Sequence, residues 1–209
     1  ISTLGNSRSF GNLVLSAKYS QSGCSDGIRG LFQGGQSVTD IEYITIASEG
    51  DSIDFGNLTS NGNHNGSLAS STRGIRGGGY SGSALNTIDY VTTSTLGNAQ
   101  DFGDTTQARY NLGVVSSSTR AVIMGGYLSS PAGGVNTIEH VTIATEGNAQ
   151  DFGDLTETVY AVQAVSDSIR GVRMGGAESA GDTTIDYVTI ATEGNAIVFG
   201  DLLTRHQEG

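Results

Sequence analysis

Three observations in the sequence predict an all-β fold assembled from repeated four-stranded units. Phe-Gly recurs at Phe10, Phe55, Phe102, Phe152 and Phe199, with spacings of 45, 47, 50 and 47 residues. Glycine supplies 32 of the 209 residues and proline one, about twice the usual glycine share, which suits a chain of many turns. No window carries an apolar i, i+3, i+4, i+7 stripe long enough for a helix. A period of about 45–50 residues holding four short strands is that of a β-propeller blade.

Each element of the unit has its own signal. Thr87–Thr93 is rich in β-branched and aromatic residues and reads as a strand. Its apolar residues fall on both parities (Ile88 and Tyr90 on one, Val91 on the other), as in a sheet packed on both faces. A turn at Leu96-Gly97-Asn98 follows, then a short strand around Asp101–Asp104, whose Phe fills the space between blades and whose Gly bends the chain. A third strand runs near Tyr110 to Ser116 and a fourth from Arg120 to Tyr127. A glycine pair closes the fourth strand, at Gly34-Gly35, Gly78-Gly79, Gly125-Gly126 and Gly175-Gly176. One arginine precedes each pair: Arg29, Arg73, Arg120 and Arg170. Bonding of each arginine to a carboxylate or carbonyl of its own or a neighbouring blade is the expected role; a ring of guanidinium groups for an anionic ligand is the alternative. The run Asn136–Ala149 has near-identical counterparts starting at Thr39, Asn86 and Thr183. The chain therefore reads as one repeat domain with units at about 9–53, 54–100, 101–150 and 151–198, and a partial unit at 199–209. Seventeen strands result, which suggests a segment of a larger array or a small ring with a spare terminal strand.

Charge removes several function classes. Ten cations against 21 acids give a net charge of −11 and cannot supply the basic stripe that nucleic acid or an anionic membrane requires. No apolar run approaches the ~18 residues of a membrane helix, and no signal peptide is visible at Ile1. Cys24 is the only cysteine, which excludes internal disulfides and a cysteine-based zinc site and suits a small buried side chain. Gly77–Gly82 satisfies G-x-G-x-x-G, but a strand follows where a dinucleotide site needs a helix. Asp101-Phe102-Gly103 and Asp151-Phe152-Gly153 match D-F-G without any other kinase element. The pairs Asp101/Asp104 and Asp151/Asp154 lack a calcium-loop pattern and become Ser9/Asn12 in the first unit. His64, His140 and His206 occupy unrelated repeat positions, unlike converging metal ligands. His140 stands where other units have Tyr43, Tyr90 and Tyr187, so a half-buried strand position is expected. The expectation is a protein without catalytic residues, metal or cofactor.

The glycine pairs, the four-strand period and runs such as Gly171-Val172-Arg173-Met174-Gly175-Gly176 resemble the kelch family, although the aromatic after the pair survives only as Tyr80 and Tyr127 and the chain has no Trp. The unit spelled by Thr-Ile-Asp-Tyr-Val-Thr-Ile, Glu-Gly-Asn-Ala, Asp-Phe-Gly-Asp and the glycine pair is similar to kelch-like repeats in structural proteins of marine bacteriophages, tail-fibre and virion-surface proteins in particular. That resemblance covers nearly the whole chain. It implies a non-enzymatic, extracellular virion-surface protein mediating attachment or protein–protein contacts. Its partners would be other virion proteins, a host-surface glycan or protein, or further copies of itself. A lectin-like carbohydrate-binding propeller and a kelch-type adaptor are the alternatives. Specificity is expected where units differ, in the tips after the glycine pair: Gln36–Val38, Tyr80–Leu85, Tyr127–Val135 and Ala177–Asp182. The candidate binding residues are Tyr80 and Ser81 on one tip and Tyr127, Leu128, Ser129, Ser130 and Pro131 on the longest. His64, in the departing stretch Asn61–Gly66, is assigned to the opposite face. Phe55, Phe102, Phe152 and Phe199, with the arginines and glycine pairs, are assigned to structure.

Overall fold

The computed structural model describes residues 6–15, 19–177 and 182–206. It is all-β: four antiparallel four-stranded blades arranged as a four-bladed propeller. The first blade is β1 (Ser22–Ser25), β2 (Arg29–Gln33), β3 (Asp40–Thr45) and β4 (Ile53–Asn57). The second is β5 (Gly66–Ala69), β6 (Arg73–Gly77), β7 (Thr87–Thr92) and β8 (Gln100–Asp104). The third holds β9 (Gly113–Ser116), β10 (Arg120–Met124), β12 (Ala132–Thr142) and β13 (Gln150–Val159), with β11 (Tyr127–Ser129) added beside β12. The fourth is β14 (Gln163–Ser166), β15 (Arg170–Gly176), β16 (Asp182–Thr189) and β17 (Ile197–His206). The described residues hold seventeen strands, and the spare one is β11, part of the longest tip, rather than a terminal strand. Residues 6–15 form no strand.

Side chains set the hairpins before each arginine. Asp26 Oδ1 accepts the N–H groups of Ile28 and Arg29 at 2.8 and 2.7 Å, and Asp167 Oδ1 accepts those of Ile169 and Arg170 at 2.7 and 2.6 Å. Ser70 and Ser117 do the same through their hydroxyls. Each such residue mimics a backbone turn, which is why a Ser- or Asp-rich stretch precedes the arginine.

The core lies between blades. One cluster joins Leu68, Ile75, Ile88 and Phe102 of the second blade to Leu112, Ile123, Val141 and Ile143 on the side of the third; a second joins Val115, Met124, Ile138 and Phe152 to Val162, Val188 and Ile190 on the side of the fourth. Both faces of each central sheet are thus apolar, as its two-parity pattern requires.

A repeated joint locks successive blades. The Gly97 N–H donates to the Phe55 carbonyl at 2.9 Å, Gly147 to Phe102 at 2.7 Å and Gly194 to Phe152 at 2.8 Å. Asn98, Asn148 and Asn195 accept through Oδ1 from the backbone N–H of Asn57, Asp104 and Asp154. A Cβ on Gly103 or Gly153 would lie 2.6 Å from backbone atoms of Gly147 or Gly194, so this glycine permits a backbone-to-backbone approach rather than a bend. The arginine crosses the same joint: Arg29, Arg73 and Arg120 donate to the carbonyls of Thr93, Ile143 and Ile190 and stack over Tyr43, Tyr90 and Phe152. Phe199 and Arg170 are more exposed than their counterparts, although Arg170 still lies over Tyr187 of its own blade. Phe199 is 62% exposed while Phe55, Phe102 and Phe152 are buried, each of those three lying against the next described blade.

Buried carboxylates knit the blades further. Glu42, Asp89, Glu139 and Asp186 are fully buried at equivalent points of the third strands. Asp89 pairs with Arg76, Glu139 with Arg109 and Asp186 with Arg173. Each also accepts a hydroxyl from the preceding blade's outer strand or the residues just after it: Thr59, Thr106 and Thr156.

His140 is buried rather than half-buried. The Tyr90 hydroxyl lies 2.7 Å from Glu146 Oε1 of the next blade, whereas His140 Nε2 reaches the matching Glu193 only at 3.6 Å. Burial, with Arg120 nearby, holds the imidazole below its ordinary value of 6.5 against the pull of Glu193. The folded state therefore takes up its proton later than the unfolded chain as pH falls. Stability from this site is complete above about pH 6.5 and declines below it. His140→Tyr is expected to remove that decline, so the melting-temperature difference between variant and wild type should widen as pH drops from 7 to 5. A constant difference would refute it.

Candidate binding site

In a four-stranded meander, the connections between second and third strands and those leading to the next blade emerge at the same end. The glycine-pair tips and the Asn61–Gly66 stretch therefore share one face. His64, assigned to the opposite face, stands beside the tips: its ring is 6.2 Å from Tyr110, which itself touches Tyr80 and Tyr127.

Two backbone devices build this face. The first is a ring of left-handed residues entering the innermost strands: Ser20, His64, Asn111 and Ala161, with φ of 55, 54, 54 and 52°. His64 N–H donates to the Ser20 carbonyl at 3.1 Å, Asn111 N–H to the His64 carbonyl at 2.8 Å and Val162 N–H to the Asn111 carbonyl at 3.4 Å. Asn and His tolerate this region better than most residues, so the stretch that departs in sequence serves a shared conformation. The second device is the glycine pair, with both φ values positive in every blade. It carries the following residue across to the one preceding the left-handed position. Tyr127 exchanges backbone bonds with Tyr110 at 2.7 and 3.2 Å, Tyr80 with Asn63 at 2.8 and 3.1 Å, and Ala177 with Tyr160 at 2.7 and 3.2 Å.

Together they place four tyrosines in an arc across three blades. Ring centroids are 5.0 Å apart for Tyr80–Tyr110, 5.5 Å for Tyr110–Tyr127 and 4.9 Å for Tyr127–Tyr160. All four are half-buried, Tyr127 included. Burial and the neighbouring phenols Tyr127, Tyr80 and Tyr160 push the Tyr110 hydroxyl above its ordinary range, which keeps it a neutral donor and acceptor. Beside the arc lies a cavity of about 280 Å³ lined by Ser20, Gln21, His64, Asn65, Asn111, Leu112, Ala161, Val162 and Gln163. Among the described residues its lining carries no carboxylate, against the strongly acidic balance of the chain.

The remaining candidate residues lie on the tips themselves. Ser81 is exposed and its hydroxyl donates to Asn61 Oδ1 at 2.8 Å. Leu128 is half-buried; Ser129, Ser130 and Pro131 are exposed on the β11–β12 hairpin, where Ser129 Oγ accepts from Ala84 N–H of the neighbouring tip at 3.2 Å. Residues 178–181 of the fourth tip lie outside the described residues. Sequence reading missed Tyr110 and Tyr160. Their signal was a shared position eight residues after Phe102 and Phe152. Cys24 is half-buried against a third cluster, of Leu31, Ile41, Phe55, Leu58 and Val91, and burial pushes its thiol up to about 12. Among the described residues, no group of three or more His, Cys, Asp or Glu is placed to hold a metal ion. Comparison with models of protein families and with curated proteins returns no match.

Proposed function

We propose that this propeller is a non-enzymatic attachment module of the virion-surface or tail-fibre kind, and that it binds a host-surface glycan at the tyrosine arc and the cup beside it. The carrying observation is the half-buried arc of Tyr80, Tyr110, Tyr127 and Tyr160 beside an uncharged cup of Asn, Gln, Ser and His. Sugar rings present flat C–H faces and many hydroxyls. Tyrosine offers apolar area and a hydroxyl with few rotatable bonds, and amide side chains supply both donors and acceptors. The resemblance of the repeat to phage structural proteins supports the setting.

Binding of the labelled protein to a glycan array tests the reading. At least one saccharide class should be retained by the wild type, and Tyr110→Ala with Tyr127→Ala should weaken that binding at least tenfold while the far-ultraviolet spectrum stays unchanged. Failure of the folded wild type to bind any saccharide, or binding indifferent to both tyrosines, would overturn it.

A further inference from the structure

Among the described residues the inter-blade joint is made three times, and both halves of a fourth are present but apart. The donor half is on the fourth blade. Arg170 lies over Tyr187, as Arg73 lies over Tyr90, but Arg170 is exposed. Phe199 is exposed, and a Cβ on Gly200 would meet nothing within 4 Å. The acceptor half is on the first blade. Ile46 is 43% exposed, although the equivalent Thr93, Ile143 and Ile190 are buried. The turn at Gly50-Asp51 matches Gly97-Asn98, Gly147-Asn148 and Gly194-Asn195.

That turn is occupied, by the segment Phe10–Asn12. Gly50 N–H donates to the Phe10 carbonyl and Ser52 N–H to the Asn12 carbonyl, both at 2.9 Å. These are the bonds that Gly97 and Ala99 make to Phe55 and Asn57. Residues 10–12 thus stand in for an outer strand without forming one, and Phe10 remains 36% exposed. The fit is specific: Asn12 donates to Asp51 Oδ1 from both its backbone N–H and Nδ2, at 2.8 and 3.2 Å. The residue equivalent to Asn12 on β17 is Asp201, which would set a carboxylate against the Asp51 carboxylate.

We infer that the exposed face of the fourth blade is a docking surface for the first blade of a second copy, joined head to tail, and that Phe10–Asn12 is a cap that competes for the same seat. The partner is defined by three internal precedents with matching residues. The β17 strand is already ordered on β16, so it enters the joint preformed. The cap and the Asp51–Asp201 repulsion hold the association weak at neutral pH.

Sedimentation velocity of the full chain over a micromolar concentration range tests this. Asp201→Asn should tighten self-association several-fold, and Asp201→Asn with Phe10→Ser at least tenfold. Adding Phe199→Ser should return the double variant to monomer. The inference fails if a double variant with the wild-type circular dichroism stays monomeric, if association ignores Phe199→Ser, or if residues 197–201 gain hydrogen-exchange protection within a monomer, which is ring closure in one chain. Should the double variant not fold, Asp201→Asn alone decides: unchanged association refutes the interface. These outcomes are independent of glycan binding, which uses the opposite set of connections.

Discussion

Gly103→Ala is expected to destabilise the protein by about 3 kcal/mol, combining overpacking with a disfavoured backbone conformation. The added Cβ would lie 2.6 Å from the Gly147 carbonyl group, and the residue sits at a φ of 144°, within the region that favours glycine. Neither side can move without breaking the Gly147-to-Phe102 hydrogen bond and the Asn148 bond to Asp104. For a domain of this size the melting temperature should fall by roughly 6–12 °C. Gly200→Ala is the control: it occupies the same repeat position with nothing nearby and should change stability by less than about 0.5 kcal/mol. Gly200 lacks both the close neighbour and the positive φ of Gly103, so equal effects at the two glycines, measured by thermal or denaturant unfolding, would refute both as the source of the cost.

Arg109→Met is expected to cost about 3–5 kcal/mol, the range for removing one partner of a buried ion pair. Arg109 has no exposed surface, and its guanidinium donates to the carbonyls of Gly125 and Thr137 at 2.9 and 3.0 Å while facing Glu139 at 3.1 Å. Burial lowers its pKa despite Glu139, a sign of how fully the site is desolvated. Truncation would leave the buried Glu139 with Thr106 as its partner among the described residues. Arg109→Met with Glu139→Leu should recover much of the loss, since an apolar pair of similar volume avoids the desolvation cost. A single variant within about 1 kcal/mol of wild type in urea unfolding would show that Glu139 finds water or takes up a proton instead.

The fold was legible because a few residues per unit carry geometric duties that no substitute performs. Phe-Gly, the glycine pair and the alternating third strand recur at one period for that reason. Blade boundaries were less legible: the Phe-Gly strand ends a blade, whereas periodicity alone sets no phase. Phe199 shows the limit most clearly. Its local sequence matches that of Phe152, but burial of this ring is supplied by the following blade and not by its own unit. Half the tyrosine arc was readable from Tyr80 and Tyr127, which directly follow glycine pairs. Tyr110 and Tyr160 belong to the adjoining connections and meet the others only through the glycine-pair crossing. The ion pairs escaped a periodic reading because Arg76 and Arg173 sit in second strands whereas Arg109 sits in a connection, so the same charge reaches the same site from different repeat positions.

The offset between sequence unit and blade has a bearing on how such a protein changes length. A segment of about 47 residues running from one Phe-Gly to the next carries an outer strand, the inner half of the following blade and that blade's third strand and turn. Duplicating or deleting it in frame adds or removes one complete donor and one complete acceptor at once. Every new junction is then an old one, with the phenylalanine, turn glycine, threonine and buried carboxylate already matched. Gene-level gain or loss of whole repeats can then proceed with the joint residues already in register, while the tips remain free to diverge one by one.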